Sequence, residues 1–100
     1  MEFEWDENKS HSNKIKYGID FDTAKYLWND NNRVEIDAPY PLEHRSILIA
    51  MIGKKLWTAI FTKRGNAIRI ISVRRARSKE AKLYGKKKNS YEHRRIRSEV

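Results

Sequence analysis

Apolar residues recur along this chain with two different spacings, and the change from one to the other divides it. Phe3-Glu4-Trp5 alternates as a short strand does. Asp6 can then accept the open backbone N–H groups of a polar helix running through about Tyr17, and Gly18 tolerates the left-handed conformation that stops it. Asp20 or Asp22 can cap a second helix, with Phe21, Ala24, Leu27 and Trp28 as apolar contacts and Asn29-Asp30-Asn31-Asn32 as the breaker.

From Arg33 onward the period drops to two. Arg33-Val34-Glu35-Ile36-Asp37 alternates as a half-buried edge strand would, and Ala38-Pro39-Tyr40-Pro41 predicts an extended loop. Three strand-like runs follow, Ser46 to Ile52, Leu56 to Thr62 and Ala67 to Val73. The connections Gly53-Lys54-Lys55 and Lys63-Arg64-Gly65-Asn66 are short and contain glycine, which predicts an antiparallel meander. Ile47, Ile49 and Met51 fall on one face and Leu48, Ala50 and Ile52 on the other, so the middle of the sheet should be covered on both sides. Ser78 can cap a third helix, Lys79 to about Tyr84, with Gly85 as its stop; Lys86-Lys87-Lys88-Asn89-Ser90 reads as a solvated linker. The expectation is an α+β fold: an antiparallel meander of about four strands plus a short N-terminal strand, with two N-terminal helices and one C-terminal helix. Residues 1–85 would form a single domain, and 86–100 a basic charged tail, disordered or helical on binding.

Composition narrows the chemistry. At 100 residues with 39% hydrophobic positions, the chain can build one modest core. It has no cysteine, so disulfides and thiolate metal sites are excluded and a reducing compartment is compatible. His11, His44 and His93 are scattered, and there is neither a glycine-rich phosphate loop nor a carboxylate cluster suited to magnesium. No cofactor is expected, and a metal-dependent nuclease is disfavoured. No apolar run is long enough to span a membrane, and the acidic start Met1-Glu2-Phe3-Glu4 is unlike a signal peptide. A cytoplasmic protein with no membrane role is the expectation.

The net charge of +9 matters mainly for its location. Residues 1–62 hold 8 Lys and Arg against 10 Asp and Glu, net −2, whereas residues 63–100 hold 14 against 3, net +11. Such a basic block points to a polyanion, above all nucleic acid.

Within that block, Arg64-Gly65-Asn66-Ala67-Ile68-Arg69-Ile70-Ile71-Ser72-Val73-Arg74-Arg75-Ala76-Arg77 is the informative stretch. Strict alternation puts Arg69, Ile71 and Val73 on one face and Ile68, Ile70 and Ser72 on the other. A guanidinium keeps its charge and offers five fixed donors, so Arg69 can grip a phosphate while lying among isoleucines; pairing with Glu35, Glu43 or Glu80 is the alternative. Arg74 and Arg75 end the strand, and Lys79 falls in the first turn of the next helix, where open N–H groups add to the positive field. Glu80 and Tyr84 lie four apart on one helix face, as a proton acceptor and a phenol, or else as a partner for Arg77 or Lys82 and a core contact. Lys16 and Tyr17 form a second polar pair before Gly18.

These residues carry a family resemblance. Phe3-Glu4-Trp5-Asp6 with Asn8-Lys9, Asn13, Lys16-Tyr17-Gly18-Ile19-Asp20-Phe21 with Ala24, Arg45, Lys63-Arg64-Gly65, and Ile68 to Ala76 with Glu80 and Tyr84 resemble the BrnT-like ribonuclease toxins of type II toxin–antitoxin modules. The likeness runs from about residue 2 to 85. The family pattern reads Lys-His-Gly where this chain has Lys16-Tyr17-Gly18, which exchanges a side chain with a reference pKa of about 6.5 for one near 10.

The resemblance implies a RelE-like fold and metal-free cleavage of RNA by attack of a ribose 2′-hydroxyl on the adjacent phosphate. It implies catalytic roles for Lys16, Tyr17, Arg64, Arg69, Arg74 and Glu80, and RNA contacts from Arg45, Arg75, Arg77, Lys79 and Tyr84. It also implies a cognate antitoxin with a ribbon-helix-helix part, held in a heterotetramer, through which alone DNA would be contacted. Two other classes stay open: a non-catalytic nucleic-acid-binding module using the same arginines, and a protein that binds an acidic partner.

Overall fold

The computed structural model describes residues 1–39 and 44–86. Of the loop predicted at Ala38-Pro39-Tyr40-Pro41, Ala38 and Pro39 are instead strand residues paired with Arg45 and His44; Tyr40 and Pro41, Glu43, and the linker and tail from Lys87 onward lie outside the described residues. Strands β1 (Glu2–Glu4), β2 (Val34–Pro39), β3 (His44–Ile52), β4 (Lys55–Arg64) and β5 (Ala67–Arg75) form one sheet in the order β1-β5-β4-β3-β2. Strands β2 to β5 are the antiparallel meander that their spacing predicts. The whole sheet is nevertheless mixed, because β1 joins β5 in parallel, Phe3 opposite Ile68 and Glu4 opposite Arg69. The chain leaves β1 at one edge, crosses the sheet through its helices and returns strand by strand until β5 meets β1.

Helix α1 (Glu7–Tyr17) starts where Asp6 accepts the N–H groups of Asn8 and Lys9 and stops at Gly18, whose φ of +84° suits a residue without Cβ. Asp20 caps α2 through the Thr23 N–H at 2.8 Å. The second predicted helix divides: α2 covers Phe21–Ala24 only, and a 3₁₀ segment, Lys25–Asn29, continues it. Leu27 and Trp28 stay buried through that tighter winding.

Residues 78–86 form α3. Two expectations fail here. Ser78 is the first helical residue rather than the cap; Glu80 instead turns its carboxylate back onto the Arg77 N–H at 2.7 Å, the acidic half of a capping box. Gly85 lies inside the helix rather than stopping it.

The two sheet faces are packed differently. One face presents Phe61, Ala59, Trp57, Leu48, Ala50, Ile68, Ile70 and Val73 to Ile19, Phe21, Ala24, Leu27 and Trp28, and these form the core. Trp28 sits edge-on to both Phe3 and Phe61, each with ring centroids 5.2 Å apart, which fastens β1 to the core. Covering such aromatic and aliphatic surface supplies about 25 cal/mol per Å2 removed from water. On the other face Ile49 and Thr58 are fully buried, and α3 reaches this side through its bonds to Thr58 and Arg74.

One irregularity decides which face each arginine occupies. Between Ile60 and Phe61 the β4–β5 register shifts: Ile60 pairs with Ser72 but Phe61 with Ile70, so Ile71 is an extra residue, a β-bulge. Strict alternation would set Arg69 beside Val73 and across the sheet from Arg74. The bulge reverses this. Val73 turns into the core with Ile68 and Ile70, while Arg69 and Arg74 come to one face, opposite Thr62 and Thr58 respectively.

Candidate functional site

Strand β1 pairs with β5 only from Ala67 to Arg69, so the outer edge of β5 is open where Arg74 is to be placed. Asn13 of α1 closes that edge. Its amide donates to the Val73 carbonyl at 2.9 Å and accepts from the Val73 N–H at 3.2 Å, imitating a paired strand, and it also donates to the Ile19 carbonyl at 2.8 Å. Ser10, one turn earlier, accepts the Phe21 N–H at 2.9 Å. These buried bonds bring the last turn of α1, with Lys16 and Tyr17, to the end of β5.

At that end Arg74 meets Glu80 in a two-pronged pair, with Nη1–Oε1 at 2.8 Å and Nη2–Oε2 at 2.9 Å. Both side chains are withdrawn from water, 18% and 14% exposed. Glu80 Oε1 also accepts from Thr58 Oγ1 at 3.0 Å and from the Arg77 N–H at 2.7 Å. The bond from Arg74 is the main cause that lowers the Glu80 pKa to about 2, against burial, with Arg77 and Thr58 assisting. Reciprocally, the hydrogen bonds to Glu80 raise the pKa of Arg74 against its burial. Glu80 is therefore a fixed anion at neutral pH, and Arg74 a fixed cation.

The other candidates group around this pair or stand away from it. Lys16 lies over the Tyr17 ring, 5.2 Å from its centroid, and both are exposed. Arg75 turns to the opposite face, over Trp57 at 5.5 Å. Arg77 and Lys79 are exposed at the start of α3.

Arg69 sits toward the far end of β5, and Arg64 ends β4 beside it, opposite Ala67. Five residues of strand separate Arg69 from Arg74, a span of roughly 15 Å. Of the carboxylates proposed for Arg69, Glu35 meets Lys63 and Glu80 meets Arg74, and Glu43 lies outside the described residues. The parallel strand β1 brings Glu4 beside Arg69 at 4.0 Å, and Arg64 approaches the same oxygen at 3.6 Å. These two arginines are 36% and 63% exposed. Arg45 begins β3 on the face of Ile47 and is half-buried.

Tyr84 is a core contact. It is 6% exposed, and its hydroxyl donates to Asp30 Oδ2 at 2.8 Å. Burial, then the Asp30 carboxylate, pushes its pKa to about 12. Asp30 keeps its charge despite burial because the N–H groups of Asn32 and Met51 and the Tyr84 hydroxyl all donate to it.

Two participants escape a reading of the sequence alone. Thr58 occupies an ordinary position in an apolar strand, and Glu4 becomes a partner of Arg69 only through the parallel pairing of β1. Asn13 was visible as a motif residue, but its bonds to Val73 were not.

A family model described as "Ribonuclease toxin, BrnT, of type II toxin-antitoxin system" matches residues 5–80. No curated relative matches the chain.

Proposed function

Because the chain belongs to the BrnT family of ribonuclease toxins of type II toxin–antitoxin systems, we propose that it is an endoribonuclease that needs no metal and cleaves RNA by 2′-hydroxyl attack on the neighbouring phosphate. Membership brings with it an RNA substrate and a protein antitoxin. The finer reading is that the fold is of the RelE kind and that the protein works in the cytoplasm. Its antitoxin is of the ribbon-helix-helix class and neutralises it by covering the basic face in a heterotetramer. DNA is met only through that antitoxin. Among the described residues no helix is long and apolar enough to cross a membrane.

The observation that carries this reading is the fixed Arg74–Glu80 pair at the end of β5, the strand to which Asn13 binds helix α1. In this scheme Arg74 binds the scissile phosphate. Its guanidinium has five N–H donors; Glu80 takes two and the Arg75 carbonyl a third at 3.4 Å, so two are left for phosphate oxygens. A cation already oriented before substrate arrives needs no reorganisation as charge builds on the phosphorane, and one such donor supplies about 10²–10³ in rate. Lys16 and Tyr17 handle protons. Glu80, ionised down to about pH 2, orients Arg74 rather than exchanging a proton. Arg64 and Arg69, with Arg45 at the same end, hold neighbouring phosphates of the strand, and Arg75, Arg77 and Lys79 add to the field. Tyr84 supports the site from the core.

The test is the double variant Arg69→Ala with Arg74→Ala, assayed for growth arrest and for RNA cleavage with and without EDTA, with folding followed by circular dichroism. A folded, inactive double variant and EDTA-resistant wild-type cleavage are expected. Full activity in the double variant would sink the assignment, and protection of RNA without fragmentation would select the non-catalytic binding module.

A further inference from the structure

Thr58 is a hydroxyl in the middle of β4, fully buried, with Ile49 opposite it on β3 and Arg74 opposite it on β5. Valine would fill the same volume without placing a polar atom there. A buried hydroxyl must find a bond or lose stability, and this one donates to Glu80 Oε1 at 3.0 Å.

That oxygen has two further donors, Arg74 Nη1 and the Arg77 N–H. The three come from three different elements: β4, β5 and the start of α3. Arg77 holds the carboxylate along the helix and Arg74 holds it edge-on. Thr58 holds it from the sheet, directly beside Arg74 in the cross-strand row. Without Thr58 the carboxylate could tilt away from the sheet and carry the guanidinium with it, since Arg74 has both of its terminal nitrogens on Glu80.

We infer that Thr58 is a positioning residue for Arg74, acting through Glu80. This rests on Arg74 being the phosphate-binding group proposed above. Its effect is on orientation and not on charge, because replacing the hydroxyl leaves both ions of the pair in place. A displacement of the order of 1 Å at a reacting group costs as much as about 10²-fold in rate, and loss of one of three restraints on the carboxylate oxygen should cost about tenfold.

The experiment uses the full chain with Thr58→Val and Thr58→Ser, and Thr58→Ala should valine not be accommodated. Single-turnover RNA cleavage is measured for each, and the Glu80 carboxyl is titrated by NMR. Thr58→Val should lower the maximal cleavage rate about tenfold with little change in KM, and Thr58→Ser should restore it to within about twofold. The Glu80 titration midpoint should rise in the valine variant and return in the serine variant, a change that general loosening of the core would not reverse so selectively. A wild-type rate in Thr58→Val, or an unmoved Glu80 midpoint, would overturn the inference and leave the reading of Arg74 standing. Wild-type activity in Arg74→Ala would instead remove that reading and the inference with it.

Discussion

The two ends of β5 hold arginine–carboxylate contacts of opposite character. Arg74 and Glu80 meet in a two-pronged bond at 2.8 and 2.9 Å, largely out of water and braced by Thr58 and the Arg77 N–H. Arg64 and Arg69 share Glu4 Oε1 at 3.6 and 4.0 Å; that oxygen is itself buried and accepts no hydrogen bond among the described residues, while the two guanidinium side chains are partly in water. The same residue types thus make a rigid, weakly screened cation at one end and adjustable, salt-screened ones at the other. Rigidity suits stabilisation of a transition state; adjustability suits holding a flexible polymer.

The sharpest way to break that contrast is to remove the arginines of each end in turn. Arg74→Ala should lower the cleavage rate by about 10²–10³ at saturating RNA. Arg64→Ala with Arg69→Ala should mainly raise KM and flatten the dependence of log K on log salt by about 1.4, two phosphate contacts of single-stranded RNA. Equal loss of maximal rate at both ends would erase the distinction.

Acid should separate the ends next. The folded Glu80 pKa lies near 2 rather than at its ordinary 4.5. A depressed carboxylate stabilises the fold above the unfolded value, and that contribution is lost as pH falls from about 4.5 toward 2. The shift is worth about 3 kcal/mol. Chemical denaturation as a function of pH should show that loss in the wild type and much less of it in Glu80→Gln, which should already be destabilised at neutral pH.

Asn13→Ala tests what supports the rigid end. It removes two donor bonds and one acceptor from buried backbone groups of Ile19 and Val73, and unsatisfied groups of this kind cost about 1–3 kcal/mol each before relaxation. A fall in unfolding free energy of about 2 kcal/mol, read from chemical denaturation, is expected. Glu4→Gln, at the looser end, should change stability by less than about 1 kcal/mol.

Much of the architecture was legible in the chain. Asp6, Gly18 and Asp20 mark helix ends by local hydrogen bonding and backbone sterics, and such effects act within a few residues wherever the chain goes. Alternation from Val34 onward foretold the meander because a strand's period of two is intrinsic. Ser78 and Gly85 misled because the reverse bond of Glu80 starts α3 and the helix continues through residue 86. Of the candidate site, the residue types were legible, but their grouping was not.

What the sequence by itself determined is the set of strands and caps, the basic second half and the motif that marks the family. Only the tertiary structure decided which arginines share a face and which carboxylate each one meets. The reason is that alternation is a parity rule, and one extra residue reverses it. Whether Ile71 is accommodated as a bulge depends on β4 pairing across β5, and Glu4 reaches Arg69 only because β1 returns in parallel alongside it. Those are contacts between distant segments, which no local spacing encodes.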